Sequence, residues 1–315
     1  MKACRVHEFG PPSVISIEEI DRPEPETGQL LVEVKASGVG PWDSWVRAGK
    51  SVLPQPLPLT LGADLSGVVV ALGPETSGFE IGQEVYGVTN ARFTGANAEY
   101  AVALASMLAA KPASVPHPEA ASVPVVAVTA LQMLFDHAGL HPGQRVLVHG
   151  AAGSVGAYAV QLARAHGATV IASEISPGIP YVEGLGAHQV VNATTHRFEE
   201  AVEPVDVVID TVGGQVQARS FGVLNPDGIL VSSVSRPDEG EAKMRGIRAT
   251  FMLVDVTTSA LKRVADMIDE GLLRSRVGAV LPLSEARQAH EMLDGLRPRP
   301  QGRIVLATDE RKPAE

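Results

Sequence analysis

The sequence predicts an α/β chain: a β-rich first part, a doubly wound parallel sheet of six strands, and a closing segment of different texture. Three observations carry that prediction. Residues 1–117 hold short β-branched runs broken by prolines. Residues 118–255 alternate apolar runs of strand length with segments of helical length. Gly150, Gly153 and Gly156 stand three apart where the first of those strands meets a helix. Such alternation implies right-handed crossovers with helices on both faces of a parallel sheet.

In chain order, Leu30–Ala36 alternates in part, and Leu65–Leu72 is β-branched and bounded by glycine. Pro11, Pro12, Pro23, Pro25, Pro54, Pro56 and Pro58 punctuate this part as turns or extended linkers. Many short strands with such breakers predict a compact, barrel-like β domain over 1–117. The run from Ala120 to Phe135 contains Pro124 and is short for a bilayer, so it reads as a core helix. Strands are expected at 145–149, 169–173, 189–191, 206–210, 228–232 and 249–254, giving a nucleotide domain over 118–255. In the closing segment, 256–315, Leu261, Val264, Ala265 and Ile268 recur at helical spacing and Gly271 supplies a stop. Ser284 is placed to cap a second helix, and Gly302–Leu306 reads as a final strand.

Composition narrows the function. A formal charge of −10 argues against a nucleic-acid surface. One cysteine, Cys4, excludes an internal disulfide framework and any multi-cysteine zinc lobe, and it fits a reducing cytosol. The N-terminus lacks the apolar core of a secretion signal, so a soluble cytoplasmic protein is expected.

The glycine turn carries the most chemistry. Glycines let the backbone turn tightly and approach a pyrophosphate, and the helix start presents N–H groups to negative charge. Gly150, Ala151, Gly153, Ser154, Val155 and Gly156 are the candidate cradle; a packing turn without ligand is the alternative. Glu174 ends the second strand of the unit, eighteen residues beyond Gly156. An acidic side chain there accepts from ribose hydroxyls and repels a 2′-phosphate, which favours NADH over NADPH. Ser173 and Ser176 remain possible phosphate contacts.

Several landmarks in order resemble the medium-chain dehydrogenase/reductase superfamily, in its zinc-independent quinone oxidoreductase (zeta-crystallin-like) branch. They are Gly40–Gly49, Leu61–Val69, Thr129-Ala130, the glycine turn, Leu185-Gly186-Ala187, Asp210–Gly214 and Gly302–Leu306. The resemblance runs almost end to end. It implies a GroES-like β-barrel catalytic domain, a Rossmann domain, a C-terminal segment that rejoins the first, and commonly a homodimer. It implies NAD(P)H-dependent reduction of quinones or α,β-unsaturated carbonyls.

Zinc enzymes of this superfamily hold their metal with a cysteine on the loop matching Gly38-Val39-Gly40 and a histidine at Ala63, in a Gly-His-Glu matching Gly62-Ala63-Asp64. Glycine and alanine donate no lone pair from a side chain, so no metal is expected. Without a Lewis acid, an acceptor that delocalises the incoming charge fits better than a simple alcohol or carbonyl.

The resemblance also places Pro41 and Thr129 beside the nicotinamide, and Thr211, Val212, Ser232, Ser233, Val234, Phe251, Met252 and Leu253 at strand ends facing the cofactor. Trp42, Asp43, Trp45 and Phe93 are the substrate-pocket candidates. At helical spacing, Trp42 and Trp45 are expected to wall a pocket for a flat substrate or to pack in the core. Asp43 and Arg47 are expected to form an i,i+4 ion pair. No catalytic proton donor stands out, and Tyr86 and Tyr100 match positions that look structural. Two rival readings remain: an enoyl-thioester reductase of the same superfamily, and a non-catalytic, crystallin-like nucleotide-binding protein.

Overall fold

The computed structural model describes residues 1–308, which form two compact units. The first unit begins with β1 (Lys2–Val6), β2 (Ser16–Glu19), β3 (Gln29–Val39), helix α1 (Pro41–Arg47) and β4 (Leu59–Thr60). It continues with β5 (Asp64–Leu72), β6 (Glu84–Val88), β7 (Tyr100–Leu104), β8 (Leu108–Ala110) and α2 (His117–Ala121). The alternation read in 30–36 puts Leu30, Val32 and Val34 into the interior, where they pack with Leu65, Val69, Val85 and Leu108.

The chain stays with the first unit to Val125, eight residues past the boundary expected from the texture change at 117. The reason is local. The Val125 N–H donates to Asp64 Oδ1 at 2.9 Å, and α2 packs on β3 and β5. Within the run read as a core helix, α3 (Pro124–Leu131) begins at the proline and runs into a wider π-helical turn over Gln132–His137.

The second unit is a parallel sheet of β9 (Arg145–His149), β10 (Thr169–Glu174), β11 (Gln189–Asn192), β12 (Val205–Asp210), β13 (Leu224–Ser232) and β14 (Arg248–Phe251). Its order is β11-β10-β9-β12-β13-β14. This is the two-halved arrangement that the alternation predicts, with the reversal between β9 and β12. The crossovers carry α4 (Ser154–Ala165), α5 (Ile179–Gly184), α6 (Phe198–Ala201), α7 (Gly214–Ser220) and α8 (Glu239–Met244). Leu147, Ile171, Val208 and Leu230, from four central strands, share one core with Phe198 and Phe221.

The chain then returns to the first unit through α9 (Thr258–Asp269), visits the second over Gly271–Arg274, and ends in the first with β15 (Val277–Pro282), α10 (Ala286–Leu293) and β16 (Arg303–Ala307). Gln161 holds that visit: its Oε1 accepts the Arg274 N–H at 2.8 Å and its Nε2 donates to the Arg274 carbonyl at 3.2 Å. Thr257 caps α9 through its hydroxyl, and Gly271 follows with φ +74°. Ser284 does not cap α10. It lies inside a 3-10 turn, Leu283–Glu285, which sets the helix start after Glu285. The first unit's main sheet runs β15-β16-β3-β5-β6-β8 with β7 on β3; β2-β1-β4 forms a smaller sheet. Ile304 and Leu306 from β16 pack with Cys4, Val6, Val39 and Leu61, and burial pushes the Cys4 thiol up to about 12.

Candidate active site

In the second unit the site is built on the turn after β9. Gly150 has φ +66°, and a Cβ there would stand 2.6 Å from Thr211 Oγ1. Gly156 allows a closer approach: a Cβ would lie 2.2 Å from the Gly150 carbonyl oxygen, so only glycine seats α4 on this turn. Gly153 precedes α4 and gives no side-chain cap, which leaves the first-turn N–H groups directed outward for an anion. A dinucleotide's pyrophosphate fits this cradle.

Glu174, at the end of β10, folds back onto the turn. Its Oε2 accepts the Ala152 N–H at 2.6 Å and its Oε1 accepts the Ile175 N–H at 2.8 Å. Ser173 is buried, and its carbonyl accepts the Gly150 N–H at 3.1 Å. One carboxylate thereby braces the glycine turn from the end of β10.

Past β12, Asp210 is the organising group. Its Oδ1 accepts the N–H groups of Val212 and Gly213, and its Oδ2 accepts Gln217 Nε2 and Ser232 Oγ at 2.8 Å each. The sequence placed Asp210 at a strand end without seeing this role, which depends on Gln217 and Ser232 folding over it. Val212, Val234 and Leu253 are exposed by 52%, 43% and 63%, an apolar rim at the carboxyl ends of β12–β14. Ser233 is half-buried, its N–H bonded to the Asp210 carbonyl.

Some expected contacts turn inward. The Ser232 hydroxyl is buried and spent on Asp210, and the Thr211 hydroxyl donates to the His149 carbonyl at 2.7 Å. Met252 is buried with its N–H on the Ser232 carbonyl, and Phe251 lies under the Arg236 guanidinium. Thr129 is buried on α3. His149 is buried, meets Ser220 Oγ at 2.9 Å, and is driven down to about 4 by burial; it is neutral near pH 7.

In the first unit, Pro41 opens α1 at the surface. The expected Asp43–Arg47 pair does not form. Asp43 Oδ2 instead accepts the Gly40 N–H at 2.7 Å, closing the helix start, while Arg47 bonds Asp294, His290 and the Gly10 carbonyl. The two residues point to opposite needs: an orphan N–H at one helix end, an acidic neighbour just past α10 at the other. Nor do the tryptophans wall one pocket. Trp42 packs toward Phe93, ring centroids 6.5 Å apart, whereas Trp45 is half exposed beside Leu293 and Asp294.

What sits beside Trp42 is Arg303 of β16. Its guanidinium carbon lies 4.9 Å from the Trp42 ring centroid, and its Nη2 donates to Asp64 Oδ2 at 2.7 Å. Both members of this pair are buried. Burial pushes Asp64 up to about 6 against the pull of Arg303; Asp43, wholly buried and near the Asp64 charge, is pushed up to about 8. The sequence showed Arg303 only as a landmark in Gly302–Leu306. A lone arginine within an apolar strand was the available signal. Tyr86 is structural, donating to the Leu261 carbonyl at 2.6 Å.

A family profile described as "Alcohol dehydrogenase GroES-like domain" matches residues 26–113, and one described as "Zinc-binding dehydrogenase" matches residues 185–306. The chain is 30% identical to the quinone oxidoreductase of Sus scrofa, over 92% of this chain and 93% of that one. It is 34% identical to the 2-methylene-furan-3-one reductase of Solanum lycopersicum, over 68% and 57% of the two chains. Among solved structures, the quinone oxidoreductase from Coxiella burnetii is similar with a TM-score of 0.90 and 33% identity, covering 98% and 99%.

The residues present do not fit the zinc that the second profile's description names. Gly40 and Ala63 carry no side-chain donor, and the Asp64 carboxylate is committed to Arg303 and to the Val125 N–H. Among the described residues, no three His, Cys, Asp or Glu side chains gather as a metal site. With both family profiles in order and relatives matched along almost its whole length, the chain belongs to the medium-chain dehydrogenase/reductase superfamily and is an oxidoreductase that uses a nicotinamide nucleotide.

Proposed function

We propose that this chain is a zinc-independent reductase of quinones or α,β-unsaturated carbonyls that prefers NADH. The donor set at Gly40, Ala63 and Asp64 carries the proposal: with no ligand for a Lewis acid, the acceptor must itself disperse the charge it receives. A quinone does so into a hydroquinone ring and an enone into an enolate. The names of the porcine and tomato relatives, a quinone oxidoreductase and a reductase of a conjugated methylene ketone, support the same class.

Bound NAD(P)H supplies a hydride, two electrons and one proton, and the acceptor takes a second proton from water. The chain's residues do the remaining work. The first turn of α4, Ser154–Gly156, binds pyrophosphate through its main-chain N–H groups, the glycine turn before it allowing the approach, and Glu174 accepts from the ribose hydroxyls. Thr211 and Asp210 fix the strand ends through internal hydrogen bonds, so the exposed Val212, Val234 and Leu253 present a dry edge to the nicotinamide end.

The same reading gives a homodimer in the cytoplasm. The open edge of β14 supports self-association, and no helix among the described residues is long and apolar enough to cross a membrane. A panel of NADH or NADPH against quinones, enones and enoyl thioesters, following loss of reduced-nicotinamide absorbance, tests the reading. Turnover confined to enoyl thioesters contradicts the substrate class. Nucleotide binding without turnover on any acceptor contradicts the enzyme.

A further inference from the structure

Buried polar side-chain atoms are normally paired, so a local surplus of unpaired ones asks for a ligand. In the first unit such a surplus surrounds the two loops Gly38–Gly40 and Gly62–Asp64. The buried atoms without a partner there are Trp42 Nε1, Asp43 Oδ1, Asn97 Nδ2, and Arg303 Nε and Nη1. The glycines bring Trp42 and Arg303 together at Gly40, while Asn97 lies against Gly62 and meets Ser37 on the other face of β3. A Cβ at Gly40 would meet the Trp42 ring at 2.5 Å and Arg303 Nη1 at 2.6 Å; one at Gly62 would meet Asn97 Oδ1 at 2.2 Å. The guanidinium and indole therefore fill the space that a ligand cysteine at Gly40 would need. Asn97 is oriented by Ser37, whose hydroxyl donates to Asn97 Oδ1 at 2.8 Å.

The chemistry of these atoms is one-sided. Four of the five are N–H donors, and an arginine keeps its proton at any working pH. A cluster of donors repels a cation and attracts an atom with lone pairs. Asp64 already balances the Arg303 charge, and Asp43 is neutral near pH 7 because burial holds its pKa up, so an oxygen bearing negative charge meets no opposing carboxylate except the paired one.

We propose that Arg303 and Trp42 form an oxygen-binding site that receives the acceptor's carbonyl oxygen as it gains negative charge, a fixed guanidinium beside the loop from which related enzymes hold zinc. This rests on reading the chain as a quinone or enone reductase. Arg303 and the Trp42 N–H are then catalytic groups, and Asp64 is a positioning residue that holds the guanidinium from its far side.

The experiment compares wild type, Arg303→Ala and Trp42→Phe in steady-state reduction of p-benzoquinone, with nucleotide affinity followed by fluorescence. Removing one donor to a developing oxyanion lowers kcat by about 10²-fold. Arg303→Ala is expected to show that loss with unchanged nucleotide affinity, and added guanidinium ion is expected to restore rate. A folded Arg303→Ala protein with wild-type kcat, or with a loss that guanidinium does not relieve, overturns the site. Trp42→Phe removes the indole N–H together with part of the ring, so its kcat is read once urea unfolding shows wild-type stability, and it serves if the arginine variant does not fold. A lowered kcat with intact nucleotide binding supports the site, and an unchanged kcat overturns it. Wild type that oxidises no reduced nicotinamide with any quinone or enone overturns the functional reading instead.

Discussion

Glu174 Oε2 accepts the main-chain N–H of Ala152 at 2.6 Å, so the residue proposed to read the ribose also braces the glycine turn proposed to receive the pyrophosphate. The two tasks are compatible because a carboxylate oxygen has more than one lone pair. Replacing Glu174 by serine removes the ribose acceptor and the like charge that opposes a 2′-phosphate. Charge-assisted hydrogen bonds are worth about 1.5–3 kcal/mol, so kcat/KM for NADH is expected to fall about ten- to a hundredfold while NADPH gains relative to it. Paired steady-state measurements with both nucleotides check this. Wild type already strongly selective for NADPH removes the basis of the prediction.

Gly156→Ala is expected to cripple nucleotide binding, because its Cβ would stand 2.2 Å from the Gly150 carbonyl oxygen and force α4 off the turn. Gly184→Ala, with open space around it at the end of α5, serves as the control. Nucleotide titration by fluorescence separates the two: weakened or absent binding for the first, wild-type binding for the second.

Asp210→Ala leaves two N–H groups and a buried hydroxyl without their acceptor, while the Gln217 amide keeps only its bonds to Ser235. Unsatisfied buried groups cost about 1–3 kcal/mol each and part of that is recovered by relaxation, so a loss of about 3–5 kcal/mol is expected. Urea unfolding measures it. A loss below about 1 kcal/mol means that the network around Ser232 and Gln217 is not what holds these strand ends.

Asp43 gives stability a pH slope. Its pKa is pushed from 3.8 up to about 8 by burial, so between those values the folded state holds a proton that the unfolded state has released. Stability from this group is fully present below the unfolded pKa and is lost as pH rises through the folded one, by about 1.4 kcal/mol per pH unit for one proton. Asp43→Asn keeps an acceptor for the Gly40 N–H and carries no charge. It is expected to flatten the slope between pH 5 and 8 and to gain on wild type toward pH 8, read from chemical denaturation across that range. Parallel slopes for the two proteins contradict the assignment.

The second unit was legible because its signals are local. Apolar runs such as Val146–Val148 and Val207–Ile209 are short and rich in β-branched residues, which favours buried strands, and the glycine turn states its own geometry. The strand ends read less well, since whether Ser232 points out or in depends on Asp210, 22 residues away in sequence. The first-unit site was least legible. Asp43 and Arg47 have pairing spacing on a helix, yet Arg47 bonds Asp294, 247 residues on, and Asp43 turns to a backbone N–H. Arg303 meets Asp64 across 239 residues, and the space it fills exists only because Gly40 lacks a side chain. No local pattern contains those facts.

Hydride transfer to a conjugated acceptor without a metal is tested most directly by assaying p-benzoquinone reduction with protein dialysed against a strong chelator and analysed for zinc. Undiminished turnover with NADH is expected at a zinc content far below one per chain. Activity that vanishes on chelation and returns with added zinc contradicts a metal-free transfer.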